Sequence, residues 1–125
     1  MSIQDAGDVV SQIKAAIGVH GLWKNRIRQA INEGKSEWDP KFVAPCGNCD
    51  FGKWLDGIDK ANQGDDYKTV YDLHSQFHKE AARVLEMALA GKKSEAEEAI
   101  ASGSAYGTLT LNLTKAMMSW QKSVA

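Results

Sequence analysis

Residues 67–88, YKTVYDLHSQFHKEAARVLEMA, put Tyr67, Val70, Tyr71, His74, Phe77, His78, Ala81, Val84, Leu85 and Ala88 along one helical face. Gly91 marks its end. The same spacing recurs on either side. Upstream, Ile13, Ala16, Ile17, His20, Trp23, Ile27 and Ile31 form one stripe, which predicts a helix from about Asp5 to Glu33 that stops at Gly34. Downstream, Ile100, Tyr106, Leu109, Leu113, Met117 and Trp120 form another, within a helix from about Ser94 to Ser123 whose first turn is acidic. The glycines of ASGSAYG, 101–107, weaken that helix and imply a kink or a close contact there.

No segment alternates as a strand does, so the pattern predicts an all-α fold. Between the first two stripes, residues 35–48 hold both prolines and read as a connection. A short helix from about Asp50 to Ile58 follows, with Asn48 as its N-cap and Phe51, Trp54, Leu55 and Ile58 facing inward. The expectation is an antiparallel helical bundle of three long helices plus one short helix, forming one domain over residues 1–125.

Composition narrows the function. A formal net charge of −1 creates no field that would draw in nucleic acid or an anionic membrane. No apolar run reaches the roughly 18 residues that span a bilayer, and residues 1–10 lack a secretory pattern. The expectation is a cytoplasmic protein with no nucleic-acid partner and no membrane insertion. In a reducing compartment, Cys46 and Cys49 of PCGNCDFGKW are thiols first, leaving four options: a redox pair, two ligands, one ligand and a bystander, or two small hydrophobes.

All three histidines lie on inward stripes. His74 and His78, four apart, stand one above the other on a helix and can meet one ion. Burying three imidazoles and a thiol without partners would cost several kcal/mol, whereas one divalent ion satisfies them together. Three nitrogens and a sulfur suit tetrahedral zinc (Zn2+), with copper as the alternative. The inward stripes offer almost no carboxylate, which disfavours a di-iron site. Metal binding needs neutral imidazoles, so proton competition is expected near pH 6.5.

HGLW at 20–23, CDFGKW at 49–54 and HSQFH at 74–78 together resemble the chemoreceptor zinc-binding (CZB) domain family. That resemblance implies a zinc site made by His20, Cys49, His74 and His78, with Cys46 outside it. A place at a helix N-terminus independently favours Cys49 as the thiolate. Trp23, Phe51, Gly52 and Trp54 are expected to support the site, Gly52 by letting the short helix approach a neighbour closely.

The resemblance further implies a bacterial sensory or regulatory domain without catalytic activity, working with a chemoreceptor or a diguanylate cyclase, in cis or in trans. Its signal would be zinc or an oxidant acting on zinc-bound Cys49, with Cys46 available to resolve the oxidised sulfur. A homodimer is expected, with Ala101 to Ala105 as a candidate contact. The rival readings are a purely structural zinc, a zinc hydrolase and a Cys-x-x-Cys thiol oxidoreductase.

Overall fold

The computed structural model describes residues 6–57, 64–101 and 103–124. The expected helix start at Asp5 and the inward place of Ile58 lie outside those residues. The described residues form seven α-helices and one 3-10 turn, with no strand among them. In order they are α1 (Ala6–Gly21), α2 (Trp23–Glu33), α3 (Pro40–Val43), the 3-10 turn Cys46–Asn48, α4 (Asp50–Gly57), α5 (Gly64–Leu89), α6 (Lys93–Ala99) and α7 (Ala105–Val124).

Two expected helices are each divided. The first breaks at Leu22, whose amide bonds to the Val19 carbonyl three residues back, tightening one turn before α2 begins. The last is interrupted between Ile100 and Ala105. There Gly103 takes a φ of 88°, and the Ser104 hydroxyl accepts the Gly107 amide at 3.1 Å, capping a new helix. The sequence cue at ASGSAYG was therefore a full break. By contrast α5 runs unbroken to a Schellman close, with Lys92 N–H bonded to Met87 O and Gly91 N–H to Ala88 O.

The legs alternate in direction, and three contacts fix this for the irregular second leg. Val43, Cys49 and Leu55 meet His78, His74 and Tyr67 respectively, so residues 43–55 descend as α5 ascends. On the other side, Tyr67 meets Trp120 and Phe77 meets Tyr106, which makes α7 antiparallel to α5. The result is a four-legged all-α bundle: α1–α2, then the α3–α4 connection, then α5, then α7.

One core runs through it. Ile13, Ile27, Leu55, Val70, Phe77 and Val84 have no solvent exposure, and Trp120, Tyr106 and Leu113 close it from α7. Each such aliphatic contributes about 1.5–3 kcal/mol by burial. His20, His74 and His78 are the buried polar side chains of this core. Among the described residues, no helix is long and apolar enough to cross a membrane.

Candidate metal centre

The second leg has its form because of what it must reach. Asp39 caps α3 by accepting the Lys41 amide, with Pro40 at the first helical position where its missing N–H costs nothing. Asn48, expected to cap α4, instead donates its side-chain amide to Phe42 O at 2.9 Å, pinning the 3-10 turn to α3. The cap position falls to Cys49, in extended conformation, whose Sγ accepts the Gly52 amide at 3.3 Å. A sulfur is thus fixed at the head of α4 and faces α5.

Gly52 is required by the backbone it meets. A Cβ there would collide with the Cys46 carbonyl oxygen, and would lie 2.7 Å from that carbonyl's carbon and 3.0 Å from Gly47 Cα. The expected close approach is present, and the neighbour is the turn that precedes Cys49. Cys46 acts here through its backbone: its carbonyl lies 3.5 Å from Cys49 Sγ. Its sulfur is not among the clustered ligand atoms.

Four residues from three legs converge. The ligand atoms of His20 (α1), Cys49, His74 and His78 (α5) all lie within 4.8 Å of one another. The Nε2 atoms are 3.0 Å apart for His20–His74, 3.1 Å for His74–His78 and 3.4 Å for His20–His78, while Cys49 Sγ is 3.3 Å from His74 Nε2. A tetrahedron with metal–nitrogen bonds of about 2.0–2.1 Å has nitrogen–nitrogen edges of about 3.3 Å. The observed triangle is close to that size.

The protons decide how the cluster is read. His20 Nδ1 donates to Ala16 O at 2.8 Å and His78 Nδ1 donates to Val43 O at 2.8 Å. Both acceptors are carbonyls, so both imidazoles carry their proton on Nδ1 and present a bare Nε2 lone pair inward. His74 Nδ1 is buried without a partner. Were its proton on Nε2 instead, it could serve only one of its neighbours. At least one pair of inward lone pairs is left opposed, which a cation relieves.

Burial sets the charge state. Desolvation lowers His20 to about 4, helped by neighbouring His78, and lowers His74 to about 2; it also lowers His78, against the Val43 hydrogen bond. The imidazoles are neutral, as metal ligands must be. Cys49 goes the other way: burial raises its thiol despite the Gly52 and Phe51 amides. In the metal-free site, lost hydration outweighs the backbone amides that favour the thiolate at this helix start.

Aromatic rings wall the cluster. Phe51 meets His20 and His74 edge-on at 5.9 and 5.2 Å, and Phe77 meets His20 and His78 at 5.3 and 5.8 Å. Trp54 stacks on Phe51 at 5.7 Å and reaches the cluster only through it. Trp23 instead packs against Trp38 at 5.1 Å and borders an adjoining cleft. Sequence reasoning missed the Ala16 and Val43 carbonyls that orient two histidines. Backbone acceptors leave no trace in residue identity.

These features define an all-α bundle whose buried centre gathers a three-histidine, one-cysteine set able to hold one metal ion. Residues 20–85, just over half the chain and including all four of these residues, match the chemoreceptor zinc-binding domain, and the chain belongs to that family. No curated protein and no solved structure matches it.

Proposed function

We propose that this chain is a zinc-binding sensory and regulatory domain of bacterial signalling, with one zinc ion held by His20, Cys49, His74 and His78. The observation that carries the reading is the pair of fixed Nδ1–H tautomers, which leaves His20 and His78 with bare Nε2 atoms 3.4 Å apart in a buried site. Zinc is preferred to copper because the family is a zinc-binding one. Four protein ligands would fill a tetrahedral ion, so the reading is of a module without catalysis rather than a hydrolase.

Bound zinc supplies what burial denies Cys49: it stabilises the thiolate. Cys49 is half-buried and borders the cleft, which supports an oxidant as the signal. With hypochlorous acid, the thiolate takes the oxygen and chloride leaves, giving a sulfenic acid. Condensation with the Cys46 thiol would then form a disulfide and release water. Because Cys49 heads α4, losing its metal bond would free that helix and pass the change to a chemoreceptor or cyclic-di-GMP partner, in a homodimer in the cytoplasm.

A purely structural zinc is the second reading, favoured by one observation: the four residues tie three legs of the bundle together. Zinc release on treatment with one equivalent of hypochlorous acid separates the two. Sensing predicts release with oxidation first at Cys49. Retained zinc, or oxidation first at methionine, leaves the structural reading.

A further inference from the structure

Beside the histidine cluster lies a cleft of about 520 Å³ between α1–α2 and the α3–α4 leg. That volume is within the range of about 300–1,000 Å³ typical of small-molecule sites. Its walls are mostly apolar and include Val19, Trp23, Phe42 and Phe51, and Val19 and Phe42 are 45% and 54% exposed. One cation borders it. The Arg26 guanidinium sits in the corner of two indoles, 4.9 Å from the Trp23 ring centre and 4.6 Å from that of Trp38.

Arg26 is held but unspent. Among the described residues the one ion pair is Arg83–Glu80, and the Arg26 guanidinium makes no hydrogen bond, its backbone amide alone donating, to Leu22 O. Glu33 and Glu37 border a second hollow that Arg26 also lines, yet neither pairs with it. Contact with two rings inclined at 63° to each other holds the guanidinium in place by cation–π attraction while leaving its N–H donors free for a carboxylate.

We propose that this cleft binds a small amphipathic monocarboxylate, its carboxylate on Arg26 and its apolar body against Val19, Phe42 and Phe51. Asp50 also lines the cleft and disfavours a second negative group on the ligand. An alkyl amine has no acceptor for Arg26 and meets its charge, while a neutral alcohol of the same length keeps the apolar contact and loses the charge-assisted pair. The site requires no metal. It lies against His20, Cys49 and His78, so an occupant would cover the Cys49 side of the cluster.

Octanoate, octanol and octylamine titrated calorimetrically into the full chain test this, with zinc content and circular dichroism recorded for each variant. The expected result is saturable binding of one octanoate and weaker binding of octanol and of octylamine, whose ammonium is repelled by Arg26 but can pair with Asp50. Arg26→Gln should weaken octanoate about tenfold and leave octanol unchanged, as for loss of one charge-assisted pair. Phe42→Asp alters an exposed side chain and keeps the test open should Arg26→Gln misfold; it should weaken both octanoate and octanol. Equal octanoate affinity in wild type and Arg26→Gln, indifference to Phe42→Asp, or no saturable octanoate binding overturns the proposal.

Discussion

His20 and His78 aim unprotonated Nε2 atoms at each other across 3.4 Å, because each has committed its Nδ1 proton to a backbone carbonyl. Such a pair stores repulsion that a cation removes. Chelation should therefore lower the thermal midpoint, and the loss should be largest where the cluster is anchored. Amide exchange should rise more in α4 and the 3-10 turn than in α7, which supplies none of the four side chains. Metal at a thousand times its dissociation constant corresponds to about 4 kcal/mol of stability. An unchanged midpoint after complete metal removal would contradict this.

Acid should act on the metal-free fold rather than on exposed imidazoles. Free histidine takes up a proton near 6.5, whereas burial lowers His20 to about 4 and His74 to about 2, with His78 lowered as well. Below 6.5 the unfolded chain therefore binds more protons than the folded one, and stability falls as pH falls. The slope is up to about 1.4 kcal/mol per pH unit for each histidine until its folded value is reached. Urea midpoints of the metal-free protein at pH 7.5, 6.5 and 5.5 check this, and a flat series would show that the imidazoles are not buried neutral.

Proton release on metal binding is a separate readout of the same charges. The imidazoles are already neutral and the Cys49 thiol is raised by burial, so zinc uptake near pH 7 should release about one proton per ion. Calorimetry in buffers of differing ionisation enthalpy measures that number. Release near zero would mean that Cys49 is a thiolate before the metal arrives, or does not bind it.

Gly52→Ala should be disproportionately damaging for a single methyl. Its Cβ meets backbone atoms of Cys46 and Gly47, so relief requires moving the turn that sets Cys49. Overpacking costs about 1–3 kcal/mol, and rigid backbone places this case at the upper end. Thermal midpoint and zinc affinity should fall together. A normal midpoint with normal affinity would show that the turn moves freely.

The long apolar stripes and the inward histidines were legible because helical periodicity records which side chains share a face. The Val43 carbonyl that orients His78 was not, since any residue at 43 offers the same acceptor. The break between α6 and α7 was half legible: glycine weakened the expected helix, but only the Ser104 cap turns weakness into a stop. Arg26 gave no signal in the sequence, because Trp38 reaches it from a loop that periodicity does not encode. The place of Cys49 at a helix start was legible, whereas the burial that raises its thiol was not, since that depends on how the short helix packs.

Elemental analysis of purified wild type, Cys49→Ala and Cys46→Ala tests the central claim most directly. The expected result is about one zinc per chain in wild type and in Cys46→Ala, with a large loss in Cys49→Ala. A site emptied by Cys46→Ala and left full by Cys49→Ala, or a wild type that carries no metal after purification without chelator, would contradict it.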